Sequence, residues 1–499
     1  MYDNLLKRIS NNLWLFVGIL SIVVVSFIYY APCFFYDYNS DNAIQSLMSV
    51  SFNFKRDFFY WGQNRLGSFL PMITYLFFEL THFHPLYLIS IIHYVLLLAS
   101  GIIISTFIRN NWVKIAVFIV IFFPVSDYQA MILIGHPYSV QLFCGSIFLF
   151  TTVKIYDIIF LTINQTFSKS ALPVLISVSL INALSFCIGF WTSELSIILI
   201  LIPIINLLLD RKNLNKLLHN ANFYIALVIF TIVSASFLFL FYKMKKQLPP
   251  DQVYDHPFFF SPKKINMQFN FLILRIKANL FYDNLLYCLI CLLSILFLIL
   301  KRDKTKNMVF TRFYNSVLFT LFISCILLFF STWNFRSEFC IRYYTPLYFL
   351  FMIAFFIAID KKFSLKKASM LSIIFILFSF CSTYNFLSKA GVDNLSAFKK
   401  YNEFSMLPKG TLIAGYWDTY VISSVAYKNI TPLTFDDQMV RNVFMKKKAM
   451  KNKYFYFINN EELKKYAFKD TIKQFNRVFV FTGQKYNCNN QEVLCYKKL

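Results

Sequence analysis

Charge is scarce in this chain. Only 15% of its 499 residues are Asp, Glu, Lys or Arg, where a soluble globular protein carries roughly 25%. Glycine is scarce as well, 11 residues in all, which weighs against the paired, glycine-interrupted helices of a secondary transporter. There is no GxGxxG, no Walker sequence, no GxSxG and no HExxH, and the soluble enzyme classes built on those loops fall away. No Cys/His array has zinc spacing, so no structural metal is expected. Neither an internal repeat nor a low-complexity linker is present.

What fills the chain instead is apolar and aromatic. Hydrophobic residues make up 58% and aromatic residues 20%, and the mean hydropathy is +0.56. Apolar runs recur at about the 20 residues needed to cross a hydrocarbon core, which predicts a polytopic α-helical membrane protein. Eleven spans fit: 13–33, 86–108, 113–132, 138–160, 171–189, 192–209, 222–242, 280–300, 313–331, 345–359 and 368–387. The run 67–80 is shorter, holds Pro71 and Glu79, and reads as interfacial or re-entrant. The first run is too long for a signal-peptide core and no small-x-small cleavage site follows it, so it reads as a retained span.

The excess of Lys and Arg, a formal charge of +25, orients the spans. With the N-terminus cytoplasmic, the inner loops hold Lys7 and Arg8, Arg109 and Lys114, Lys154 and Lys169, Arg211 to Lys216, Lys301 to Lys306, and Lys361 to Lys367. The outer loops 126–137 and 190–191 hold no Lys or Arg, which is the positive-inside pattern. The basic loop 243–279 is the exception. Topology and headgroup contact account for the charge, and nucleic acid is not an expected partner. An odd number of spans leaves the C-terminal tail outside the cytoplasm.

The chain therefore divides into a membrane domain, 1–387, with an outer loop 34–66, and an extracytoplasmic tail, 388–499. In the tail, short β-type runs at 411–416, 453–458, 477–483 and 492–498 alternate with helix-compatible stretches at 417–427, 437–450 and 460–469, the pattern of a small α/β domain. Cys488 and Cys495 flank a turn-like stretch there and could pair in an oxidising compartment.

Polar residues expected on the outer side are the candidates for chemistry, because ionisable groups at membrane depth are costly. The first loop holds Asp37, Asp41, Asp57, Gln63 and Arg65, and further loops add Asp127, Glu194, Arg342 and Tyr343. Asp37 and Asp41 stand four residues apart and would share a helix face. Close carboxylates suit a general base or, less readily, a metal. The plainer reading of Asp41 is a helix N-cap, since AIQSLMS follows it. Glu194 has the plain reading of an interfacial cap beside Trp191, and Arg342 that of headgroup snorkelling.

Several segments resemble the GT-C superfamily of polyprenyl-phosphate-sugar-dependent glycosyltransferases, which includes protein mannosyltransferases and aminoarabinose transferases. They are Asp41-Asn42-Ala43 after the first span, Phe59-Tyr60-Trp61-Gly62-Gln63-Asn64-Arg65-Leu66-Gly67-Ser68-Phe69, the run 189–193, Arg342 to Leu347, and Gly415 to Tyr420 in the tail. The family often has two adjacent acids where this chain has Asp41-Asn42. That departure favours a single base over a metal site.

The resemblance implies an inverting glycosyl transfer at the outer face, with Asp41 as general base and Asp37, Asp127 and Glu194 as helper acids. Arg342 and Arg65, with Lys263 and Lys264, would hold the donor phosphate, and Trp61, Gln63 and Tyr343 would position the sugar. The partners implied are a polyprenyl-phosphate-linked sugar and a glycan, glycolipid (lipid A or an O-antigen unit, for example) or protein acceptor, met in a bacterial inner membrane. No cofactor is expected, with the need for a divalent metal left open. A flippase for lipid-linked glycans and a non-enzymatic envelope assembly protein are the rival readings.

Overall fold

A computed structural model describes residues 2–34, 38–63, 66–124, 133–164, 171–209, 211–247, 262–281, 308–336, 341–390, 397–458 and 470–499. Among these, five helices are long and apolar enough to cross a membrane: Leu13–Tyr30, Pro85–Ser105, Tyr138–Phe160, Ala171–Thr192 and Ala221–Lys245. The mostly helical, polytopic architecture agrees with the apolar runs. The number of spans is smaller among the described residues than the eleven expected.

The differences have local causes. The stretch expected as one span at 192–209 is a 3-10 helix, Glu194–Ile200, running into an α-helix, Leu201–Leu209. Ser193 is extended there, with φ −159°. The Ser196 hydroxyl donates to the Gly189 carbonyl at 2.9 Å, a side-chain bond that competes with the helical ladder. The helix expected at 113–132 is Asn111–Phe122, and residues 125–132 lie outside the described residues. The loop expected at 243–279 contains a helix, Pro262–Phe281, opened by a proline at its first position. Most of the expected span 280–300 lies outside the described residues. Met308–Phe329, Thr345–Lys362 and Leu365–Ala390 are helical as expected. The short run at 67–80 is the 13-residue helix Phe69–Thr81, about 20 Å long at 1.5 Å per residue and too short to span.

The chain forms two compact units. One comprises Met1–Val25, Val95–Met131 and Pro137–Leu387, and its described elements are helices. Polar ties hold its helices where apolar packing alone has little orienting power. The Asn182 amide donates to the Phe148 carbonyl at 3.1 Å and to the Thr151 and Thr152 hydroxyls at 2.8 and 3.0 Å. Buried Asp360 accepts the backbone N–H groups of Arg109 and Asn110 at 3.1 and 2.8 Å. Two loops expected on the same side of the membrane therefore meet.

The other unit joins Ser26–Tyr94 and Ile132–His136 to the tail, Ser388–Leu499. Its sheet contains β1 (Gly410–Ala414), β2 (Ile430–Thr434), β3 (Tyr454–Ile458), β4 (Thr471–Gln474), β5 (Arg477–Cys488) and β6 (Gln491–Lys498). The strand order is β2-β1-β3-β6-β5-β4. β1 runs parallel to β2 and β3, and the remaining pairs are antiparallel. Helices Tyr416–Val425 and Val443–Ala449 make the two crossovers, and Ile413, Leu433, Phe455, Phe457, Phe479 and Leu494 form the core.

All four expected tail strands are present. β2 escapes the β-pattern because it carries Pro432, which is tolerated since β2 is the edge of the sheet. The expected helices at 417–427 and 437–450 are present in shortened form, and 460–469 lies outside the described residues. Cys488 stands opposite Gln491 across a hairpin closed by Asn489 and Asn490, both at positive φ. That register sets Cys495 four residues further along β6, and both thiols are free and buried. Burial pushes the Cys488 thiol up to about 11.

Candidate active site

The candidate site lies within the second unit and is built on the helix Ser40–Met48. Asn39 caps it, its side chain accepting the N–H groups of Asp41 at 3.0 Å and Asn42 at 3.2 Å. The cap is thus Asn39 and not Asp41. Asp41 occupies the first turn, where a carboxylate suits the positive end of the helix dipole, and its side chain is free for other work. It is half-buried, and no described cation lies within ion-pair distance of it. The helix begins at Ser40, and Asp37, its expected helper, lies outside the described residues.

The phrase after this helix folds back on it. Tyr60, Trp61, Gly62 and Gln63 make a tight turn closed by the Gln63 N–H donating to the Tyr60 carbonyl at 3.0 Å. Gly62 sits at its third position with φ +74°, the conformation that type II turns assign to glycine. The Tyr60 N–H donates to the Leu66 carbonyl at 2.8 Å, and Phe59 bridges Gly67. The Tyr60 hydroxyl is thereby aimed at Asp41. It donates to the backbone carbonyl at 2.9 Å and lies 3.4 Å from the carboxylate Oδ1. Burial, and then the Asp41 charge, hold this phenol well above its usual range, so it stays a proton donor.

Asp57 clamps the loop. Its carboxylate accepts the Asn53 N–H at 2.8 Å and the Trp61 indole N–H at 3.0 Å, and the Ser68 hydroxyl bonds its carbonyl. Burial raises its carboxyl above the usual range, with those two donors opposing the shift. Trp61 is only 4% exposed. Its indole N–H is committed to Asp57, which ties the ring to the turn. Gln63 is also buried, and its amide oxygen has no hydrogen-bond partner among the described residues.

Two further segments complete the surroundings. Gly135, at φ +95°, packs on the first turn of the helix. An added Cβ would lie 2.7 Å from Asn42 Oδ1 and 2.9 Å from the Asp41 carbonyl carbon. Asn42 is buried beneath it, and neither of its amide atoms has a partner among the described residues. From the tail, the Arg441 stem packs on Gly62, where an added Cβ would lie 2.6 Å from Arg441 Cδ. Arg441 Nε donates to the Tyr416 hydroxyl at 2.9 Å, its backbone N–H donates to the Tyr420 hydroxyl at 2.9 Å, and its charge acts on the Tyr60 phenol.

The tail is fastened to the loop at several points. The Tyr38 and Ser424 hydroxyls share a hydrogen bond at 2.9 Å. The His84 ring nitrogen Nε2 reaches the Val425 carbonyl at 3.2 Å, and Tyr427 and Phe398 pack around the ring.

The other expected site residues fall elsewhere. Glu194 belongs to the helical unit, where it is ion-paired with Lys245; that pairing occupies an acid expected as a helper. Tyr343 lies in the same unit, half-buried in the turn Ile341–Tyr344. The Arg342 side chain, Arg65 and Asp127 lie outside the described residues. Among the described residues, no group of three or more His, Cys, Asp or Glu could hold a metal ion. Arg441 and Gly135 were not singled out from the sequence. No local motif marks either one, and only the fold brings Gly135 to the Asp41 turn and Arg441 to Gly62.

No protein-family model matches the chain, and no curated protein matches it in sequence. Among solved structures, it is similar to the archaeal oligosaccharyltransferase AglB from Archaeoglobus fulgidus, in complex with an inhibitory peptide and a dolichol-phosphate. That likeness has 12% identity and a TM-score of 0.44, covering 91% of this chain and 71% of that one. It is also similar to ArnT from Cupriavidus metallidurans bound to undecaprenyl phosphate, at 9% identity and a TM-score of 0.45, covering 97% and 98%. Both likenesses are distant.

Proposed function

We propose that this chain is an integral membrane glycosyltransferase that moves a sugar from a polyprenyl-phosphate donor to an envelope glycan, lipid or protein acceptor, with Asp41 as the general base. The observation that carries the reading is the state of Asp41. It is presented in a capped first turn, half-open to solvent, unpaired with any described cation, and within reach of one hydroxyl donor. A carboxylate spent on capping or on an ion pair could not take a proton; this one is spent on neither. The resemblance of the Asp41-Asn42 and Tyr60-Trp61-Gly62-Gln63 segments to bacterial GT-C transferases supplies the reaction class.

In the reaction so assigned, the acceptor hydroxyl or amine attacks the anomeric carbon as its proton passes to Asp41. The new carbon–oxygen or carbon–nitrogen bond forms as the anomeric carbon–phosphate oxygen bond breaks, with inversion. The electron pair leaves on the lipid phosphate, already a stable anion, so acid assistance is not needed. Cations neutralise the charge on that oxygen; the resemblance offers Arg342, with Arg65 or Lys263 and Lys264, for that role.

The substitution Asp41→Asn tests the role. Radiolabelled sugar transfer from a polyprenyl phosphate should be lost in membranes carrying the variant, while protein level and donor binding persist. Near-normal transfer would remove Asp41 from the mechanism. Absence of any transfer by the unsubstituted chain, with lipid-linked glycan moved intact across vesicles, would favour a flippase.

A further inference from the structure

The second unit carries an exposed strip in which aromatic and basic residues alternate, assembled from the first loop and the tail. Arg56 of the loop lies over the Phe444 ring of the tail helix Val443–Ala449, its guanidinium carbon 3.9 Å from the ring centre. Lys447 approaches the same ring at 5.7 Å. Phe444 and Phe54 are each about half exposed, and Lys55, Arg56, Lys447 and Lys448 are exposed. Asp57, the acid beside Arg56, is buried and bonded to the Asn53 and Trp61 N–H groups, and Asp437 is ion-paired with Lys446, so the exposed strip carries a net positive charge. At its other end Phe54 packs edge-on against Tyr75, 6.1 Å between centres. Tyr75 belongs to the helix Phe69–Thr81, whose Leu76, Phe77 and Leu80 stand exposed, Leu80 at 80%.

Water is a poor neighbour for that helix, and 13 residues cannot span a bilayer. An apolar helix of this length is stable lying in the interface. The strip continues from it as the interface continues, from acyl boundary to headgroups. Large rings sit at the boundary and Lys and Arg side chains reach phosphate, the distribution seen where proteins meet anionic lipid. The cations also argue against a second protein as the occupant, since Lys is depleted from the centres of protein interfaces.

We propose that the strip formed by Phe54, Arg56, Phe444, Lys447 and Lys448 docks on anionic lipid headgroups, holding the tail against the bilayer surface. This contact is separate from the transfer reaction and from the residues assigned to it. It acts as a second attachment for the loop–tail unit and keeps that unit at the depth where lipid phosphates lie.

The test uses the full chain in lipid nanodiscs, with Phe444→Cys carrying an environment-sensitive NBD probe and the unsubstituted chain setting the labelling background. Nanodiscs of phosphatidylcholine alone are compared with nanodiscs containing phosphatidylglycerol. With the anionic lipid, the emission should shift to the blue and doxyl-labelled lipid should quench it. Added salt should reverse both effects, because it screens exposed charges without altering the chain. Lys447→Gln with Lys448→Gln should weaken both effects at low salt. A probe that stays in water in both compositions overturns the proposal, as does one that inserts equally in both or is indifferent to salt.

Discussion

Replacing Gly135 by alanine perturbs the placement of Asp41 without touching Asp41 itself. At φ +95°, an L side chain costs about 1–2 kcal/mol in backbone strain. The added methyl would also meet the Asp41 carbonyl carbon at 2.9 Å and the Asn42 nitrogen at 3.0 Å. Ordinary contact begins at 3.4 Å, so the first turn must give way by about half an ångström, and it is backbone that has to move. A misplacement of about 1 Å at a reacting group can cost on the order of 100-fold in rate, so about tenfold is expected here. Gly62→Ala is the matched control. It also forces a positive φ, but its methyl meets the Cδ of Arg441, a long side chain that can swing aside. Gly62→Ala should therefore show a similar loss of stability and a smaller loss of transfer. The assays are sugar transfer in membranes, thermal unfolding in detergent, and hydrogen exchange of the helix Ser40–Met48, the last independent of any activity. A Gly135→Ala chain with unchanged exchange in that helix and unchanged transfer would refute the packing of Gly135 on the Asp41 turn. A control more damaging to transfer than the test variant would refute the reasoning from backbone contact.

Tyr60→Phe removes the hydroxyl shared with Asp41 and keeps the ring. The lost hydrogen bond is worth about 1 kcal/mol, or roughly fivefold. Transfer should fall through kcat with little change in KM, and an unaltered kcat would detach Tyr60 from the base. His84 offers a pH test. Burial lowers its ring to about 4 from an ordinary 6.5, assisted by Lys428 and opposed by the bond to the Val425 carbonyl. The unfolded chain takes up that proton below pH 6.5 and the folded chain only near 4. Stability is therefore complete above pH 6.5 and is lost progressively as the pH falls to 4, by up to about 3 kcal/mol. Unfolding followed across that window should show the loss, and His84→Gln should remove that part of the slope.

How much was legible in advance depended on the range of the interaction. The apolar runs and the tail strands follow from patterns within about ten residues. Where a side chain competed with the backbone, the pattern misled. The span expected at 192–209 opens as a 3-10 helix, where the Ser196 hydroxyl bonds the Gly189 carbonyl, and Pro432 hid an edge strand. At the site, Asp41 stood out as an acid beside a span, yet its sequence context suited a cap equally well. The bonds from Asn39 decide between the two.

The amino-acid sequence by itself determined that this chain is a polytopic membrane protein with a small α/β tail, and it marked Asp41 and the segment Tyr60 to Gln63. Burial of apolar runs and turn chemistry are local properties, written in composition and spacing. Only the tertiary structure decided that the first loop and the tail are one unit, joined by bonds such as that between Tyr38 and Ser424, 386 residues apart. It likewise brought Gly135 to the helical turn that carries Asp41, and Arg441 to the turn at Gly62. Contacts at such separations arise from the packing of whole elements, and no short stretch of residues records which distant neighbour it will meet.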